Sequence, residues 1–283
     1  MDLDMRESIV KIGLPSPLLG VLTEPQKLEK SDIAVLLLNS GVMHKVGTCR
    51  LSVTLARNIS QNLGLQCLRF DFSGIGDSEA RSSKGVDFDN IVVQEVIEVM
   101  DYMQKNRNIE KFILFGLCAG GHTACKAAEI DNRIMAIAQI DGYCFPTIKS
   151  FALYYFSRFT NLSAWKVRLT KWLGIRNALD SKAYSDVENS DFEVPDYAEY
   201  PAKSEVTKQL KKIMLSNVKM LCAFVGKEPY YRYRNQYRDC FNEVNFADNL
   251  EIVYLPDASH IITEPEQQTK IVSKITTWIS KLA

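Results

Sequence analysis

Apolar residues along the chain recur with two alternating periods, and that alternation predicts the fold class. Ile33–Leu38, Leu65–Phe70, Phe112–Phe115, Ile134–Ile140, Lys219–Val225 and Leu250–Leu255 are short apolar or β-compatible runs. Runs of this kind mark strands covered on both faces in a largely parallel sheet. Between them the spacing turns helical: Leu51, Val53, Leu55, Ala56 and Ile59 share a stripe that Gly64 ends, and Ile91, Val92, Val96 and Met100 share another. A closing helix is marked by Thr263, Pro265 and Glu266, with Ile271, Ile275 and Ile279 along it. Ser8–Gly13 and Leu18–Thr23, separated by Pro15 and Pro17, read as two short strands opening the sheet antiparallel. The expected class is α/β, a mostly parallel central sheet flanked by helices.

The alternation stops after Ile140 and resumes at Lys219. Residues 1–142 and 218–283 are therefore expected to form the core, and 143–217 a helical cap inserted into it. A chain of 283 residues suits one domain plus an insertion better than one compact domain of about 150 residues. The insertion mixes Tyr154, Tyr155, Phe156, Phe159, Trp165 and Trp172 with Lys and Arg. Such residues suit a cap with an apolar underside, which makes Tyr155 and Trp165 candidates for substrate contact.

Thirty-four basic and 34 acidic side chains cancel, so no basic field argues for nucleic acid. The seven cysteines are odd in number and show no CxxC pair or metal-ligand spacing, which points to reduced thiols in a cytoplasm and to no metal. No run approaches the roughly 18 apolar residues of a membrane span, and the first residues are too acidic and polar for a signal peptide. The expectation is a cytoplasmic protein.

Chemistry enters where the strand at Phe112 stops, at Gly116-Leu-Cys-Ala-Gly-Gly121. The pattern G-x-nucleophile-x-G places its central residue on a strained strand-to-helix turn, with small neighbours that let strand and helix backbones meet. Cys118 holds the nucleophile position, beside the free amides of the helix that Ala119 begins, whose partial positive charge favours a thiolate. Ligands of open α/β sheets collect outside the carboxyl ends of the strands. Those ends offer His260 as base, Glu228 as the acid that orients it, and the Ser40-Gly41-Val42 turn as a source of amides. Asp141, then Asp239, are the alternative acids. His44 follows the amide-bearing turn and is a candidate substrate contact, whereas His122, four residues into the elbow helix, is expected to pack there. The oxyanion hole would be the amides of Ala119 and Val42.

The order nucleophile, acid, histidine is that of the α/β-hydrolases, and nearly the whole chain resembles them, from Leu38-Asn-Ser-Gly41 to Pro256-Asp-Ala-Ser-His260. Asp71-Phe-Ser-Gly-Ile-Gly-Asp-Ser78 resembles their D-x-R-G-x-G-x-S turn, with Ser73 where arginine is usual. The elbow resembles that of dienelactone hydrolases and of polyhydroxyalkanoate synthases, which are acyltransferases. Val42–Ser78 resembles the hydrolases encoded with exosortase systems. The resemblance implies a hydrolase that cleaves an ester, lactone or thioester through an acyl group on Cys118, without a cofactor. Its substrate would be a small-molecule or carrier-bound acyl compound. An acyltransferase or cyclase would pass the same acyl group to an alcohol, an amine or an internal nucleophile. A non-catalytic binding module on this scaffold is the alternative from another class.

Overall fold

The computed structural model describes residues 5–26, 31–81, 87–153, 201–226 and 231–283. Strands β1 (Met5–Ile12), β2 (Leu18–Pro25), β3 (Ile33–Leu37), β4 (Gln66–Phe70), β5 (Lys111–Leu117), β6 (Ile134–Ile140), β7 (Lys219–Val225) and β8 (Leu250–Leu255) form one sheet. Their order is β1-β2-β4-β3-β5-β6-β7-β8. The first two strands are antiparallel to each other, β2 is antiparallel to β4, and β3 to β8 are parallel. The chain leaves β3 for β4 on one side and then crosses to β5 on the other. Strand order therefore reverses at β3, and the crevice outside the carboxyl ends of β3 and β5 is where such sheets take ligands.

Helices α1 (Leu51–Leu63), α2 (Phe88–Arg107), α3 (Ala119–Ala128), α4 (Lys203–Leu215), α5 (Gln236–Cys240) and α6 (Pro265–Ile279) accompany the sheet. Side chains alternate across β3 because the strand period is two. Ala34 and Leu36 join a layer with Val96, Met100, Ala124, Leu210 and Ile213, while Ile33, Val35 and Leu37 face Leu55, Ile59, Ile271 and Ile275. Gly64 ends α1 in the left-handed conformation at φ 69, with its N–H on Ser60 O. The closing helix starts one residue later than the Thr263 signal suggests: Glu264 is the N-cap, without a side-chain cap bond, and Pro265 is the first helical residue.

Two compact units divide the chain, Met1–Phe145 with Ala202–Ala283, and Pro146–Pro201. The first unit takes in α4, whose Leu210 and Ile213 belong to its core. In the second, Thr147 N–H donates to Ser150 Oγ (2.8 Å) and Ser150 N–H to Thr147 Oγ1 (3.1 Å), capping a helical turn. Among the described residues no helix is long and apolar enough to cross a membrane.

Candidate active site

Cys118 stands between β5 and α3 with φ 52 and ψ −117, a conformation that side-chain-bearing residues rarely adopt. Strain of this kind costs about 1–3 kcal/mol and persists only where the surroundings impose it. Here they do. Cys118 N–H donates to Ile140 O (2.8 Å), and its carbonyl accepts from Gly121 N–H (3.0 Å) and His122 N–H (3.3 Å). A Cβ on Gly116 would lie 2.1 Å from the Gly120 carbonyl carbon, and one on Gly120 would lie 2.5 Å from Asn39 O. Only glycine at these two positions lets β5 meet α3 and lets the helix start press on the loop after β3. The thiol is exposed. The Ala119 and Val42 N–H groups donate to no described acceptor.

His260 lies in the loop after β8, shaped by Ala258 N–H on Leu255 O (3.2 Å) and Ile262 N–H on Ser259 O (2.9 Å). Its Nδ1 is 2.8 Å from Asp141 Oδ2. A carboxylate only accepts, so Nδ1 carries the proton and Nε2 is the nitrogen left for Cys118. The Asp141 side chain is fully buried and locked. Its backbone has φ 51, its N–H donates to Ala223 O (2.8 Å), and its Oδ1 accepts from Val225 N–H (3.0 Å). The bond to Asp141, and after it a hydrogen bond with Cys118, raise the His260 pKa to about 10 against the opposing effect of partial burial. Cys118, His260 and Asp141 are thus brought together.

Glu228, the first-ranked acid, lies outside the described residues, as do Tyr155 and Trp165. The second-ranked Asp141 is the carboxylate on His260 Nδ1. Asp239 is exposed and accepts from Tyr233 O–H at 2.8 Å. His122 packs as expected: its ring meets Tyr143 edge-on at 4.7 Å, and burial lowers its pKa to about 4.

His44 is hydrogen-bonded on both ring nitrogens while 40% of its side chain stays exposed. Its Nδ1 accepts from Val46 N–H (3.3 Å), which puts the proton on Nε2, 3.1 Å from Asp77 Oδ2. Beside it lies a network that sequence reasoning missed. Asp71, whose side chain is fully buried, accepts from Asn39 Nδ2 (3.0 Å), Lys45 N–H (2.6 Å), Lys45 Nζ (2.7 Å) and Asp77 N–H (3.0 Å). Lys45 is buried and also donates to Asp77 Oδ2 at 2.5 Å. His44, Asp71 and Asp77 stand close enough together to share a cation, but the Lys45 ammonium already lies among them. Asn39 completes the brace, with Nδ2 also donating to Met43 O (2.6 Å) and Oδ1 accepting from Phe72 N–H (2.9 Å). The one signal in the sequence was an aspartate directly past β4. Tyr143, two residues past Asp141, packs edge-on against His122, and burial, then Asp89, raise its pKa.

The remaining thiols are poor competitors. Burial pushes Cys222 up to about 12 and raises Cys67 and Cys125 as well. A hydrogen bond from Cys144 lowers Cys240 to about 7, but Cys240 is 1% exposed. Only Cys49 shares with Cys118 an exposed position.

The α/β-hydrolase-fold family matches residues 33–162. No curated protein matches the chain in sequence. An esterase of Pyrococcus furiosus superposes with a TM-score of 0.62 at 14% identity, covering 99% of this chain and 92% of that one. A Xanthomonas campestris α/β serine hydrolase without a lid gives 0.59 at 13%, covering 98% and 95%. The proline iminopeptidase of Mycobacterium smegmatis gives 0.60 at 12%, covering 97% and 98%. At such identities the likeness establishes the fold: this chain has the α/β-hydrolase fold.

Proposed function

Starting from the α/β-hydrolase fold, we propose that the chain is an enzyme that cleaves ester or thioester bonds through an acyl group carried on Cys118, with His260 and Asp141 completing the triad. One observation carries this reading: a strained, exposed cysteine at a helix start lies beside a histidine whose far nitrogen is held by a buried carboxylate. The same fold carries activity in the Pyrococcus furiosus esterase, a protein similar to this one.

Cys118 Sγ attacks the carbonyl carbon as a thiolate, forming a C–S bond while the carbonyl π pair moves to oxygen. The amides of Ala119 and Val42 are suited to receive that oxyanion, a contact worth about 3–4 kcal/mol when one donor is removed. On collapse the C–O or C–S bond to the leaving group breaks, and His260 gives its Nε2 proton to the departing alcohol or thiol. Water then attacks the thioester while His260 takes its proton, releasing the acid and Cys118. Asp141 keeps the proton on Nδ1 so that Nε2 faces the reaction, and it stabilises the imidazolium. An amine or alcohol in place of water would give the acyltransferase variant.

Incubation with p-nitrophenyl acetate or a short-chain acyl thioester, followed by intact mass and peptide mapping, tests this. The expected result is one acyl group on Cys118, absent in Cys118→Ala and released by water more slowly than it forms. Limiting iodoacetamide should label Cys118 before Cys49. An acyl group found elsewhere, or wild-type turnover in Cys118→Ala, would overturn the assignment. Repeating the reaction with an added amine separates hydrolysis from transfer by the product's mass.

A further inference from the structure

The loop that carries Val42 follows β3 and has little to hold it by itself. Gly41 stands at φ 54, Val42 is 59% exposed, and one turn bond, Met43 N–H on Ser40 O (3.0 Å), closes it. Its two ends, however, are fastened to a single buried group. Asn39 at the start and Lys45 at the end both donate to Asp71, and Lys45 does so twice, through its backbone N–H and its ammonium. Asn39 also closes the loop on itself through Met43 O. Asp71 in turn belongs to the turn after β4, where Ser78 Oγ donates to Asp71 O (2.7 Å) and accepts from Leu19 N–H (2.9 Å) of β2.

We propose that Lys45 is a positioning residue for the oxyanion loop: by neutralising Asp71 it clamps both ends of residues 39–45 so that the Val42 amide is held against the elbow. The inference rests on the catalytic reading above and adds to it the part that sets the hole's geometry. A buried carboxylate without a cation is costly, and a buried lysine without acceptors equally so, which makes the pair mutually dependent. The buried Lys45 ammonium donates to Asp71 and to Asp77, both on the turn after β4, so it fastens the end of the loop to that turn. The contact of Gly120 with Asn39 then passes the loop's position directly to the start of α3. An oxyanion donor contributes only when it is in place before the charge develops, and a displacement of about 1 Å costs on the order of 10²-fold.

The test compares Lys45→Met, Lys45→Arg and the double variant Lys45→Met with Asp71→Asn, the last leaving no unpaired charge should the single variant fail to fold. Three quantities are read in each folded protein: the rate of Cys118 acylation by p-nitrophenyl acetate, its alkylation by iodoacetamide, and the affinity for a short acyl aldehyde, whose hemithioacetal oxygen needs the oxyanion hole. Lys45→Met and the double variant should lose acylation on the order of 10²-fold and aldehyde affinity with it. Alkylation, which needs no oxyanion hole, should be unchanged, and Lys45→Arg should recover most of the acylation. Acylation at the wild-type rate in a folded variant lacking Lys45 overturns the inference alone. So does a parallel fall of acylation and alkylation in the double variant, which would mean a general disturbance of the site. A wild-type chain that takes up no acyl group overturns the catalytic reading, and this inference falls with it.

Discussion

Asp71 and Asp141 are the same device used twice along one edge of the sheet. Each stands directly past a strand, each side chain is fully buried, and each meets a cation from a distant loop, Lys45 at 2.7 Å in one case and His260 at 2.8 Å in the other. The difference lies in what the partner has left over. The Lys45 ammonium, buried, donates to Asp71 and Asp77 and has no second titratable nitrogen, so the β4 end is a clamp. Imidazole has two nitrogens, and with Nδ1 held by Asp141 the other is placed to exchange protons with Cys118. Burial and an ion pair therefore do not by themselves single out a carboxylate for the triad proposed above; the second nitrogen of its partner is what favours Asp141.

The largest effect should come from breaking the Asp141 side of this comparison. An amide in that place presents a donor to Nδ1 or forces the wrong tautomer, so Asp141→Asn should lower kcat by about 10³–10⁴-fold with folding retained. Asp71→Asn keeps an acceptor for Asn39 and the Lys45 amide and should cost much less. Glu228→Gln should also cost much less. Steady-state kinetics on the three purified variants, with thermal melts as the control for folding, check the ranking. Equal losses in Asp141→Asn and Glu228→Gln would mean that two carboxylates share the orienting role.

The pH profile gives the next largest effect, and its sign follows from the raised pKa of His260. A cysteine enzyme works as thiolate and imidazolium, so activity should hold through neutral and alkaline pH. It should fall about tenfold per pH unit once the imidazolium is lost above about 10. The Cys118→Ser variant needs a neutral imidazole as base, so its weaker activity should rise with pH as His260 deprotonates, at a lower pH than in the wild type because the contribution of Cys118 to the raised pKa is gone. Opposite slopes in the two proteins identify the pair; parallel slopes would show that the thiolate is not the attacking form. Lys45→Met should lower the plateau without moving the limb, because the limb is the titration of His260, which Asp141 and Cys118 raise and Lys45 does not. The same shift also bears on stability. A histidine whose folded pKa lies above about 6.5 stabilises the fold fully below that pH, and the contribution is lost as pH rises through about 10.

The fold was legible because strand and helix periods alternate cleanly from Ile33 to Ile140 and again from Lys219, and tertiary packing overrode neither. The juxtaposition of Cys118 and His260 could be expected for a related reason, since each lies in the turn or loop that follows a strand whose end the period marks. The carboxylate that meets His260 could not. Asp141 and Glu228 both follow strands, and nothing in their spacing says which one the His260 loop folds toward. Lys45 was invisible because its pairing with Asp71 spans 26 residues and joins a loop to a turn, neither of which has a period. Helix α4 was assigned to the insertion because it follows the interruption without a strand before it, yet Leu210 and Ile213 pack into the core of the first unit. At the last helix the Thr263 and Glu266 pair imitated a capping box, and the fixed φ of Pro265 set the start instead.

The smallest effect sharpens the comparison within the clamp itself. Asp77 accepts from the same Lys45 ammonium as Asp71, at 2.5 Å, but 60% of its side chain faces solvent. Hydrogen bonds from Lys45, then from His44, lower its pKa below the ordinary aspartate value. A carboxyl depressed in this way stabilises the fold above the unfolded value near 3.9, and the contribution disappears as pH falls through the lower folded value. Water screens an exposed pair, so the contribution is a few tenths of a kcal/mol, as for other surface ion pairs. Asp77→Asn should therefore shift the thermal midpoint by no more than about 2 °C and leave Cys118 acylation nearly unchanged. Asp71→Asn should shift both measurably, since it leaves the Lys45 ammonium buried with only the exposed partner to answer it. Equal effects from the two substitutions would mean that the clamp is held from its solvent end, and the distinction drawn from burial would fail.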